Sequence, residues 1–284
     1  MKIFKKVNSV LYCLAILLPM FLLAGCPVKN EQDLKKAFET GGTYVVGEDF
    51  TFYGQLTVKK GKNVVLKCTK EYGQHTILYG GKGGTLQYGA IEIPETSSLS
   101  LGFGDKGEAL ETLFIGVASS TTPSLPPFLI LNKGLLAMNN VAIGPGDIRN
   151  EGKGTLEMDN GVVVGSGVLN YGTFIMKDGL FWGAPGNAVD NMDGGKFTME
   201  KGVIWGTDTG VTNDFDSTFT MNGGEIYKNT TGVLNMGKFT IQGTAKIHNN
   251  TTGVWNISGG GQTPWIFNWY GGTIYDNNVN VKRN

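Results

Sequence analysis

Asn150, Asn170, Asn191, Asn213, Asn235 and Asn256 recur at intervals of 20, 21, 22, 22 and 21 residues, each with an Ile or Val two places before it. That period is too short for helical hairpins or propeller blades, and it suits a coil of strands returning above itself every turn. Two further signatures keep the same phase. One is an apolar-x-apolar strand: Leu156 and Met158, Phe174 and Met176, Phe197 and Met199, Phe219 and Met221, Phe239 and Ile241. The other is a glycine followed two places later by an apolar residue: Gly161 and Val163, Gly179 and Phe181, Gly202 and Ile204, Gly224 and Ile226, Gly272 and Ile274.

Alternation of this kind marks strands with one buried face, and it puts Val168, Asn170, Gly172, Phe174 and Met176 on one side. Stacking such rungs at about 4.8 Å sets Phe over Phe, Met over Met and Asn over Asn. An inward Asn column can satisfy its amides along the stack. The alternative is a run of asparagines that only favours turns. The 44 glycines fit tight corners between short strands, and the absence of a Gly-X-Y period excludes collagen. Residues 229–235 and 250–256 are nearly identical and lock the register locally.

The Phe-x-Met-x-Gly-Gly-x-Ile phrase of residues 219–226 resembles the repeats of bacterial surface lipoproteins, spirochaete-type, with a right-handed parallel β-helix. The resemblance covers about residues 130–284, and Thr244-Ala-Lys-Ile247 departs from it by lacking the Gly-Gly pair. It implies an all-β, right-handed parallel β-helix with rungs of about 20–23 residues, from a group largely adhesin-like or uncharacterised. The expected layout is a signal peptide at 1–25, a lipidated cysteine, tether and capping helix at 26–42, and one β-helix at 43–284. Rungs over 43–130 are expected to be irregular and those over 131–284 regular, with loops at 119–127 and 258–264.

The start of the chain carries Lys2, Lys5 and Lys6, then an apolar run from Val10 to Leu23, a secretory pattern too short to span a membrane. Leu23-Ala24-Gly25-Cys26 resembles a lipobox, which implies a diacylated Cys26 at the mature N-terminus and a membrane partner. The expected address is the bacterial cell envelope, at the outer membrane or cell surface. With Cys13 removed and Cys26 blocked, Cys68 has no disulfide partner, so the core must stabilise the exported chain. Residues 30–40 read as a helix capped by Asn30, with Leu34, Ala37 and Phe38 on one face and Gly41 at its end. Such a helix would plug the open end of a solenoid.

Without the three signal lysines, the balance of 24 basic and 24 acidic residues becomes three negative, and the arginines are Arg149 and Arg283. That excludes a phosphate-reading surface and a nucleic-acid partner. The residue after each inward aliphatic of the third signature is Val164, Trp182, Trp205, Tyr227, His248 or Tyr275. Such side chains point outward and stack. They form a candidate binding stripe for a glycan or a host protein, with cross-strand packing as the other reading. Asp193 and Asp216 hold similar places on consecutive rungs, near Asp190 and Asp214, and are candidate catalytic acids for a β-helix lyase or glycosidase or ligands for Ca²⁺. The chain has just two histidines, and no nucleophile motif, metal-type Cys/His cluster or cofactor-binding loop is present. The reading is therefore a non-catalytic binding, adhesion or structural role, without cofactor or metal.

Overall fold

The computed structural model describes residues 27–81, 89–102, 110–118, 128–258 and 265–284, with side chains described at all of these except 110 and 111. The signal segment, Cys26, the loop at 119–127 and residues 259–264 lie outside the described residues.

Each turn of chain supplies one strand to each of three sheets, and every strand pairs in parallel with its counterpart one turn away. A representative rung is Lys196–Met199 in the first sheet, Val203–Trp205 in the second and Thr209–Asn213 in the third. The first sheet holds 11 strands and the other two hold 10 each. The extra strand is Leu110–Glu111, which lies antiparallel to Thr69 and Cys68. The molecule is thus a parallel β-helix, and the described strands from Gly42–Val45 to Ile130–Asn132, Leu110–Glu111 apart, enter the same three sheets as the later repeats.

Register follows the sequence phase. Phe197 pairs with Phe219, Ile204 with Ile226 and Asn191 with Asn213. The irregular segment at Thr244 keeps that phase, because Lys246, Ile247 and His248 pair with Glu225, Ile226 and Tyr227. Side chains alternate across each strand, so the interior collects continuous columns. Phe174, Phe197, Phe219, Phe239 and Phe267 stack at 4.6, 4.8, 4.9 and 5.4 Å between ring centroids. Met138, Met158, Met176, Met199 and Met221 form the neighbouring column, and all five are buried. Burying such a side chain stabilises by roughly 1.5–3 kcal/mol.

The asparagines point inward and are fully buried. Each donates from Nδ2 to Oδ1 of the next, from Asn132 through Asn150, Asn170, Asn191, Asn213 and Asn235 to Asn256, at 2.7–2.9 Å. The second amide proton goes to a backbone carbonyl, such as Asn191 to Thr218 at 3.0 Å. Burial therefore strands no donor inside the column. The column begins one rung earlier than the even spacing suggests, at Asn132, and its final donor, Asn256 Nδ2, has no partner among the described residues.

Helix α1 (Glu31–Thr40) closes the N-terminal end. Asn30 Oδ1 accepts from the Asp33 amide at 3.0 Å, and Gly41 ends the helix with φ 74, in the left-handed region where a Cβ is penalised. Leu34, Ala37 and Phe38 are buried against the first rung. Val28, also buried, bridges in parallel to Val46. Among the described residues no helix is long and apolar enough to cross a membrane.

Candidate functional site

Trp182, Trp205, Tyr227, His248 and Tyr275 form one column on the outer face of the second sheet, because each holds the same register position on successive strands. Their rings stack at 5.6, 6.2, 5.2 and 5.0 Å between centroids, with planes 22°, 3°, 6° and 16° apart. Offset stacks of this kind add stability beyond area burial. They also turn the ring faces toward one another, so that the interior rings present their rims to solvent. Trp182 and Tyr275, at the two ends, are 45% and 38% exposed, whereas Trp205, Tyr227 and His248 are half-buried. A flat platform of ring faces, as a lateral stripe suggests from sequence, is thus limited to the column ends.

The polar surroundings of the column are fixed by neighbouring strands. Asn249 Nδ2 lies 2.8 Å from His248 Nδ1. An amide nitrogen only donates, which puts the imidazole proton on Nε2. That nitrogen faces Glu225 Oε2 at 3.5 Å, the outer limit of a hydrogen bond, and has no closer partner among the described residues. Glu225 Oε1 accepts from Lys246 Nζ at 2.8 Å, and this bond above all holds the Glu225 carboxyl below its ordinary pKa. Lys228 Nζ lies 5.8 Å from the Tyr227 ring centroid.

A second amide ladder, not evident from the Val-x-Asn period, runs along the corner that follows the aromatic column. Thr207 Oγ1 donates to Asn229 Oδ1, Asn229 Nδ2 to Asn250 Oδ1 and Asn250 Nδ2 to Asn277 Oδ1, at 2.9, 3.1 and 3.0 Å. The signal for it is the repeated Asn-Thr-Thr-Gly-Val at 229 and 250, which reads from sequence only as a lock on register.

Asp193 and Asp216 lie at a different corner, between the third and first sheets. Both are exposed, with φ 46 and 58. The left-handed turn explains an Asp there without any chemistry, since its short polar side chain tolerates that region. Asp190 is the perturbed acid of this side. Burial raises its pKa above the usual carboxylate range, with repulsion from Asp147 and Asp214 adding to the rise, while Asn187 Nδ2 donates to its Oδ1 at 2.6 Å. Among the described residues no group of three or more His, Cys, Asp or Glu side chains is placed to hold a metal ion. The lipidation candidate Cys26 lies outside the described residues.

No known protein family, curated protein or solved structure matches this chain.

Proposed function

We propose that this is a lipid-anchored protein of the bacterial cell envelope that binds a glycan or a protein, without catalysis, through the lateral aromatic column. The column carries the reading: five stacked rings stand on an outer sheet face, and both end rings are open to solvent. Exposed indole and phenol rings combine an apolar body with a hydrogen-bonding rim, the type of surface enriched at recognition sites. Anchoring is supported by the basic and apolar start of the chain, the Leu-Ala-Gly-Cys sequence ending at Cys26, and the short distance in sequence to the body. Only Pro27 separates Cys26 from Val28, which is already buried in the fold, so a lipid on Cys26 would hold the solenoid against the bilayer.

Two experiments test the two halves. A fragment of residues 27–284 and its Trp182→Ala/Trp205→Ala version, both folded by circular dichroism, are applied to a glycan and matrix-protein array. Binding that disappears in the double variant supports the column as the site, and equal binding by both sinks it. For the anchor, labelled palmitate should enter the full chain but not Cys26→Ala, which should also leave the membrane fraction.

A further inference from the structure

Directly beside the aromatic column runs a cleft of about 470 Å³, walled by Lys228, Thr230, Asn249, Thr251, Asp276 and Asn278. These residues come from three successive rungs. Lys228, Asn249 and Asp276 immediately follow Tyr227, His248 and Tyr275, and all three adopt the left-handed conformation, with φ 54, 54 and 51. Thr230, Thr251 and Asn278 stand two places further on, and the six side chains are exposed. Between each pair, Asn229, Asn250 or Asn277 is tied into the second amide ladder, which fixes the floor between the two rows.

The backbone of this corner is already committed. The amides of Lys228 and Asn249 donate to the carbonyls of Asn249 and Asp276 at 3.1 and 3.2 Å. Those of Thr230, Thr251 and Asn278 donate to Thr207, Asn229 and Asn250 at 3.3, 3.2 and 3.2 Å. Between these rungs the backbone amides are taken, so a ligand lying along the axis meets side chains. Those side chains are hydroxyls and amides, each able to donate and accept. The single cation and the single anion, Lys228 and Asp276, cancel. An acyl chain finds no apolar lining, and a polyanion finds one lysine against one aspartate.

We propose that this cleft binds a linear, uncharged oligosaccharide lying parallel to the solenoid axis, with the aromatic rims along one side. A ligand with the same repeat as its site gains contacts at every rung, and the rung spacing of about 4.8 Å is close to the advance of one pyranose ring. This inference rests on the reading that the lateral face binds a ligand, and it names the ligand class and the residues that read it.

The test uses calorimetric titration of the 27–284 fragment with length series of cello-oligosaccharides and N-acetylglucosamine oligomers, and with oligogalacturonate as the charged comparison. Affinity should rise with each added sugar and level off once the three rungs are filled, with the charged series weaker. Asn249→Gly/Thr251→Ala should weaken the longest neutral oligomer about tenfold or more, the loss of one or two hydrogen bonds. Glycine keeps the left-handed turn at position 249, and an unchanged melting temperature shows that the fold is intact. Binding that ignores length, prefers the charged series or survives the double variant overturns the assignment. If no oligosaccharide binds while the Trp182→Ala/Trp205→Ala pair still removes a protein ligand on the array, the cleft assignment falls and the aromatic-column reading stands. If neither kind of ligand binds, both fall.

Discussion

Asn191 shows what the buried amides do, because it accepts from Asn170, donates to Asn213 and donates again to the Thr218 carbonyl. Every amide dipole in the column points the same way, an arrangement in which neighbouring hydrogen bonds polarise one another. Asn191→Ala strands a donor on Asn170 and an acceptor on Asn213 at once. At roughly 1–3 kcal/mol for each stranded group, the variant should lose several kcal/mol, visible as a lower urea midpoint. The opposite change is available at the end of the column, where Arg283 stands in register with the unpartnered Asn256. Arg283→Asn gives that last donor an acceptor and should raise stability by about 1 kcal/mol. Asp190 carries a pH signature of its own. Its folded pKa is raised by burial, so its ionisation costs the folded state stability as pH rises through that value. Asp190→Asn should therefore raise the melting temperature at neutral pH. The gain should vanish below the unfolded carboxylate range, near pH 3, where aspartate is protonated in both states.

At the scale of elements, helix α1 caps a stack whose first rung would otherwise expose its interior. Asn30→Ala removes the bond to the Asp33 amide and should cost about 1 kcal/mol, whereas Phe38→Ala uncovers the core and should cost about 3–5 kcal/mol. Chemical denaturation of the two variants measures the difference. The helix was legible in the sequence through its cap, apolar face and closing glycine, and the strands through a period too short for a helical hairpin or a propeller blade. Asn132 was not, since it precedes Asn150 by only 18 residues, although Ile130 stands two places before it as in later rungs. The corner after the aromatic column was also hidden. Gly165, Gly183 and Gly206 announce a left-handed turn, and Asn249 and Asp276 are types that tolerate it, but Lys228 occupies the same turn without any sign in its residue type. The aromatic column is legible as a column, while its ring orientation depends on rung-to-rung stacking that a pattern of outward positions does not contain.

Across the whole molecule the same columns run through successive rungs, and the 10 levels of each sheet carry the structure through about 43 Å. Each rung rests chiefly on the ones above and below it, so stability is approximately a sum over neighbours. Deleting residues 214–235 removes one strand from each sheet and joins Asn213 to Met236 in the phase that Asp214 held. The shortened chain should fold with the same far-ultraviolet spectrum, and Asn213 should hand its amide bond to Asn256. A collapse of the cooperative thermal transition would count against this modularity. A chain that tolerates this loss would treat rung number as a ruler, each added turn lengthening the solenoid by about 4.8 Å while the chemistry displayed along its flank repeats unchanged.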